Sequence, residues 1–230
     1  MKLGLISDIH GNSPALKVVL ERLPNEVDQI AFLGDLCGYY PFVNECIVLW
    51  DRQRILGVRG NRDQLFLDCI KTQSQPDHSY ESKYGSALRR SLESALPEVV
   101  VVLESLPPSC SLTIQKTVLV LYHGSPWNPL EGRVYPDYRD WDRFSNIAAD
   151  VILLGHTHYP FVKRYGDKLI VNPGSVGQPR DLSTGACYAT LDLDSGAVQQ
   201  LRIPYEKSCI IDDARLHDPD KSYLIKVLNR

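Results

Sequence analysis

The feature that most constrains this chain is a pattern repeated five times: a short apolar run stops at a turn built from Asp, His, Asn or Gly. The turns are Asp8-Ile9-His10-Gly11-Asn12, Gly34-Asp35, Gly60-Asn61-Arg62-Asp63, His123-Gly124 and Gly155-His156-Thr157-His158. The runs before them (2–7, 29–33, 55–58, 118–122 and 151–154) are too short for helices and read as buried strands. Helical segments separate the first three. Asn12-Ser13-Pro14 offers a cap and a first-turn proline, followed by an apolar stripe of Leu16, Val19, Leu20 and Leu23; residues 43–54 read as the next helix. Apolar strands alternating with helices predict an α/β fold with parallel pairing, covered on both faces. Ligands of such sheets gather outside the carboxyl ends of the strands, which is where all five turns stand.

Residues 71–110 break the rhythm. A polar stretch leads to helical segments near 80–94 and 98–105 and then to Pro107-Pro108, read as a helical cap or insertion within one domain of residues 1–230. Val99 to Leu103 reads as core or a subunit contact. Two hairpins follow the last polar turn, 161–163 with 169–171 and 187–193 with 197–202, and predict a second sheet packed on the first. The last 20 or so residues are polar and are expected to be loosely ordered.

Composition matters here for what it excludes. A net charge of −3 gives no basic excess for nucleic acid or an anionic membrane. No apolar run reaches the roughly 18 residues of a membrane span, and the N-terminal run turns polar too early for a secretory core. The six cysteines are scattered without a C-x-x-C pair, so they read as reduced, mostly buried thiols of a cytoplasmic protein rather than a disulfide framework or a thiolate zinc site.

The polar turns carry the chemistry. A D-x-H triplet is expected about 0.5 times by chance in a chain of this composition, whereas G-H-x-H is expected roughly 0.01 times. Four of the six histidines fall in these turns. Imidazole, carboxylate and amide oxygen without thiolate suit a hard or borderline divalent ion such as Mn²⁺, Fe or Zn²⁺. Seven candidate ligands exceed the needs of one ion, and a pair roughly 3.5–4 Å apart sharing one carboxylate would use them.

The order and content of these turns resemble the calcineurin-like metallophosphoesterases, in particular their small bacterial and archaeal branch of phosphodiesterases and diadenosine tetraphosphatases. Longer strings strengthen the resemblance: Gly34-Asp35-Leu36-Cys37-Gly38-Tyr39 followed by Asn44-Glu45-Cys46, and the run from Asn172 to Arg180. The resemblance implies a four-layer α/β-β/α sandwich of two mixed sheets. It implies one metal on Asp8, His10, Asp35 and His158, and a second on Asp35, Asn61, His123 and His156, with Asp35 as the bridge. Mn²⁺ comes first among the metals it suggests, with Fe, Zn²⁺, Ni²⁺ and Mg²⁺ as alternatives. The implied reaction is hydrolysis of a small phosphorylated substrate, phosphodiester or phosphomonoester, by a hydroxide held between the metals. Dinucleoside polyphosphates and phosphoproteins are the neighbouring substrate classes, and a homodimer is compatible with the branch. Relatives also include a metal-binding scaffold without turnover and nucleases. The filled ligand set argues against the first, and the absence of a basic stripe against the second.

The same resemblance places Asn12, Arg59, Arg62, Asp63 and Arg180 around the substrate, with the turn at Gly174 and Ser175 steadying the geometry. One departure stands out. Where the family usually carries Gly-Asn-His and an acid, this chain has Arg62. A guanidinium does not release its proton near neutrality, so it can clamp a phosphate but cannot protonate a leaving group. A surface pairing of Arg62 with Asp63 is the plain alternative. Lys83, Arg89 and Arg90 face either the crevice or solvent. Trp127, Tyr135, Tyr138 and Trp141 either stack on a substrate ring or pack a long loop.

Overall fold

In the computed structural model, which describes residues 1–51 and 55–229, two five-stranded mixed sheets pack face to face. The first has the order β10-β9-β1-β2-β3, from β1 (Lys2–Ile6), β2 (Gln29–Phe32), β3 (Ile55–Gly57), β9 (Ala186–Asp192) and β10 (Ala197–Ile203). The second has the order β4-β5-β6-β8-β7, from β4 (Ser109–Ile114), β5 (Thr117–Tyr122), β6 (Val151–Leu153), β7 (Phe161–Tyr165) and β8 (Lys168–Asn172). The central pairs β1–β2, β2–β3, β5–β6 and β6–β8 are parallel.

Strand alternation builds the layers. Leu3 and Leu5 of β1 meet Leu119, Leu121, Leu153 and Val171 between the sheets, while Ile6 faces outward into a second cluster with Leu16 and Val19. Those two residues belong to α1 (Ser13–Arg22), whose N-terminus is capped by the Asn12 side chain accepting from the Ala15 amide at 3.2 Å. The outer cluster also takes in Cys46 of α2 (Val43–Val48) and Phe66 of α3 (Asn61–Thr72). The end of the expected second helix, residues 52–54, lies outside the described residues. Between α3 and β4 the chain forms α4 (His78–Tyr84), α5 (Ala87–Ser94) and α6 (Pro97–Ser105). Val99, Val102 and Leu103 of α6 are buried, and Val101 faces solvent.

Three features differ from the sequence reading. The last hairpin, β9–β10, returns to the first sheet, where β9 pairs antiparallel with β1. The helical insertion expected to run to 110 ends earlier, and residues 109–114, not assigned to any element, form an edge strand joined to β5 through Gln115 at φ 56°. The C-terminal stretch is ordered as α7 (Ser208–His217) and α8 (Tyr223–Lys226). Ile210, Ala214, Leu224, Val227 and Leu228 turn inward onto Tyr39 and Tyr40, while Leu216 faces solvent. Arg90 of α5 clamps this layer with two bonds to the Asp213 carboxylate, at 2.8 and 2.7 Å.

Candidate metal centre

Each polar turn emerges from the carboxyl end of a parallel strand: Asp8 and His10 after β1, Asp35 after β2, Asn61 after β3, His123 after β5, His156 and His158 after β6. The two sheets thus bring all seven residues to one place. Two groups form there, Asp8 with His10 and His158, and Asp35 with His123 and His156, the donor atoms within each group lying within 4.8 Å of one another. Asn61 Oδ1 is 3.2 Å from His123 Nε2. Asp35 stands between the groups, its Oδ2 3.8 Å from His10 Nε2 and 3.4 Å from His123 Nε2.

The backbone is bent to make this possible. Asp8, His10, Asp35, His156 and His158 all adopt positive φ, between 53° and 65°, a conformation that costs a non-glycine residue free energy and is held only where surroundings enforce it. The enforcement is visible. At Gly34, φ 93°, a Cβ would come within 2.7 Å of His123 Nδ1, and a Cβ on Gly60 would land on the Asp35 carboxylate. The Asp63 carboxylate accepts from the amides of Asp35 (2.8 Å), Gly60 (2.9 Å) and Cys37 (3.0 Å), tying the turn after β2 to the start of α3. Ser175 Oγ donates to the Asp8 carbonyl at 2.6 Å.

Tautomers are set by the backbone. Nδ1 of His10, His123 and His158 lies 2.9, 2.7 and 2.7 Å from the carbonyls of Cys37, Leu33 and Gln178, so Nδ1 carries the proton and donates. Each Nε2 is left to face the centre. His10 Nε2 and His158 Nε2 are 3.1 Å apart, as are His123 Nε2 and His156 Nδ1. Asp8 Oδ1, fully buried, has no hydrogen-bond partner and faces His158 Nε2 at 3.2 Å. Lone pairs converging on lone pairs, with an orphaned carboxylate oxygen among them, fit a cation, and the donor set contains no sulfur. All six cysteines are free.

Charge follows the same geometry. Burial opposes ionisation of Asp8, but His158 and His10 outweigh it and hold the carboxyl well below its usual range. Burial also opposes ionisation of Asp35, yet His123 draws it down to about 2. Burial depresses His123, and Asp35 outweighs that to lift it to about 9. His156 is pushed down to about 3 by burial and by the charge of His123, and His158 to about 4, where burial outweighs the pull of Asp8. Asp63 rises to about 6 through burial and the charge of Asp35.

A cavity of about 380 Å³ opens over the centre, with Arg62, Arg133, Arg180 and Lys83 on its walls. Arg62 is not paired with Asp63. Its guanidinium lies 4.1 Å from the Tyr84 ring centroid and 4.8 Å from that of Tyr80, and its amide donates to Asp35 Oδ1 at 2.8 Å. Arg180 reaches the Tyr39 hydroxyl at 2.7 Å. Three of the expected substrate residues are placed elsewhere. Asn12 is buried as a helix cap that also donates to the Gly177 carbonyl and the Tyr205 hydroxyl. Arg59 bonds the Leu106 carbonyl and lines a separate cavity with Gln64, Asp68 and Glu104. Asp63 holds backbone and does not line the cavity over the centre. Arg89 pairs with Glu81 and Glu93. Of the aromatic residues, Trp127, Tyr138 and Trp141 pack around Phe144, while Tyr135 lines the cavity. Tyr39, Tyr84 and Arg133 are cavity residues the sequence did not single out for substrate; only Tyr39 stood inside a quoted motif.

Comparisons with known proteins agree with this geometry. The profile of the calcineurin-like phosphoesterase superfamily domain matches residues 1–196. The uncharacterized protein MJ0912 of Methanocaldococcus jannaschii is 33% identical over 89% of this chain and 88% of its own. The phosphodiesterase YfcE of Escherichia coli is 26% identical over 84% of this chain and 89% of its own. The crystal structure of a metallophosphoesterase from Sphaerobacter thermophilus superposes with a TM-score of 0.78 at 26% identity, covering 99% of this chain and 98% of that one.

Proposed function

The chain belongs to the calcineurin-like phosphoesterase superfamily, and from that premise we propose that it is a hydrolase of phosphoesters, acting on small phosphodiesters with two divalent metal ions. The observation that carries the reading is the pair of facing ligand groups, each with bare nitrogens and oxygens aimed at one point and joined by Asp35. Asp8, His10, Asp35 and His158 would hold one ion, and Asp35, Asn61, His123 and His156 the other. When bound, such ions lower the pKa of water and neutralise phosphoryl charge. Mn²⁺ is the proposed metal, on the sulfur-free donor set. The cytoplasm is the proposed compartment, on the six free thiols.

The chain's own residues do the rest. Arg62, fixed among tyrosines at the wall of the cavity, is placed to hold a phosphoryl or leaving-group oxygen by charge-assisted hydrogen bonds. It keeps its proton throughout. Leaving groups that depart without protonation, such as aryl oxides or phosphates, are therefore favoured over alkoxides. Arg133 and Arg180 add positive charge at the cavity mouth.

The test strips the protein with chelator and assays it with and without Mn²⁺ on bis(4-nitrophenyl) phosphate and 4-nitrophenyl phosphate. Metal-restored release of nitrophenolate from the diester is expected; silence on both across several metals would overturn the reading. In an Arg62→His variant, turnover of alkyl phosphates is expected to rise relative to aryl ones. An unchanged ratio would remove Arg62 from leaving-group selection.

A further inference from the structure

A second cavity, of about 250 Å³, adjoins the one over the metal centre. The two share Tyr39, Lys83, Tyr84 and Arg180. The second adds Gln178 and, from the C-terminal helices, Tyr223 of α8 and Val227 just after it. Tyr223 and Val227 lie beyond residue 196, where the match to the superfamily profile stops. One side of this cavity is therefore built by a part of the molecule the shared domain does not supply.

Its chemistry is specific. Three tyrosine rings surround the space edge to face, Tyr39 with Tyr84 at 5.8 Å and 76° and Tyr39 with Tyr223 at 6.3 Å and 86°. Rings disposed in this way favour a flat aromatic guest over an aliphatic one of equal size. The Lys83 ammonium stands 5.0 Å from the Tyr84 ring and the Arg180 guanidinium 5.8 Å from the Tyr39 ring, so positive charge lies on the boundary between the two cavities. The Tyr223 hydroxyl is buried and has no hydrogen-bond partner. A buried, unpaired hydroxyl calls for a complement, and the cavity beside it has room for one substituted ring.

We infer that this second cavity is the subsite for one ester arm of the substrate, and that it selects a flat aromatic arm with a hydrogen-bonding group at its edge. The inference rests on the phosphodiesterase reading, which places phosphorus in the adjoining cavity. Lys83 and Arg180 then meet the phosphoryl oxygens at the boundary, while Tyr39, Tyr84 and Tyr223 enclose the ring. The α8 segment becomes a specificity-determining element of an enzyme whose metal ligands all precede residue 160.

The experiment uses non-hydrolysable ligands, so binding is read apart from turnover. The Mn²⁺-loaded full chain is titrated by calorimetry with 4-nitrophenylphosphonate and with methylphosphonate, which share the phosphonate and differ only in the arm. The aryl ligand is expected to bind about tenfold tighter. Val227→Phe, which fills the cavity, is expected to bring the ratio close to one. Val227 is itself packed in the C-terminal cluster, so Tyr223→Phe, which removes one hydroxyl and leaves the ring, serves as the variant that keeps the fold. There the ratio should fall about threefold. Equal affinities in the unaltered protein, an aryl preference that neither variant changes, or no binding of either ligand would overturn the inference. If the aryl preference holds and depends on Tyr223 while no diester is hydrolysed, the subsite stands and the phosphodiesterase reading falls. Diester hydrolysis without an aryl preference is the opposite case.

Discussion

The two halves of the metal centre are built from the same residue types but are secured differently. Asp8, His10 and His158 are all buried, and both imidazoles of that half are fixed through Nδ1 by backbone carbonyls. In the other half Asp35 and His123 are equally enclosed, but His156 is partly open, and its outward Nε2 meets the side chain of exposed Arg133 at 3.3 Å. A carbonyl inside a turn cannot swing away, whereas an arginine on the surface can. One half is therefore locked by the fold, and the other keeps one adjustable member at the cavity wall. The comparison suggests a division of labour between a site that retains its ion and a site that exchanges it.

The largest effect should come from removing what the halves share. Asp35→Asn is expected to lower phosphodiester turnover by about a thousandfold, read as kcat/KM under saturating Mn²⁺. Next come paired deletions. His158→Ala should empty the locked half and, because the exchanging half sheds its ion on the column, leave close to no ion per chain, while His156→Ala should leave about one, counted by elemental analysis after gel filtration. Equal losses in the two variants would break the comparison.

The pH behaviour of the stripped protein sharpens it further. His123 rises to about 9 in the fold, above the usual histidine value of about 6.5. Its protonated contact with Asp35 therefore contributes stability that is complete below about pH 6.5 and is lost as pH climbs through about 9. Metal uptake should move the opposite way, because His123 must give up that proton to become a ligand: affinity rises with pH up to about 9, by as much as about tenfold per unit. Thermal melts and chelator competition read the two trends. The smallest effect is expected from Arg133→Ala, less than about tenfold on affinity for the more weakly held ion and none on the other.

Much of the centre was legible because its chemistry demands particular residue types where strands end. As an ordered set, Asp8-x-His10, Gly34-Asp35, Gly60-Asn61 and Gly155-His156-x-His158 declare themselves without any packing information, although D-x-H alone is expected about 0.5 times by chance. The substrate wall did not. Arg59 and Asn12 lie next to ligand motifs in sequence, but the Arg59 side chain leaves toward Leu106 and Asn12 turns back to cap α1. Proximity along the chain says little about which way a side chain leaves a turn. The return of β9 to the first sheet was also hidden, since an antiparallel hairpin carries no mark of the sheet it will join. The C-terminal helices were masked by their polarity, with too few apolar residues to suggest an ordered layer until Tyr39 and Tyr40 supply its other side.

The place of β1 between β2 and β9 also sets the order in which the molecule can be completed. Strand β1 waits for a strand more than 180 residues later in the sequence before both its edges are paired. His158, which faces Asp8 across the centre, arrives nearly as late. Until those later residues arrive, the candidate ligand set is incomplete and one edge of β1 is free. Contacts of such long sequence separation make folding slow. The candidate ligand set and the closed first sheet are thus both completed only by the later part of the sequence, His158 first and β9 after it.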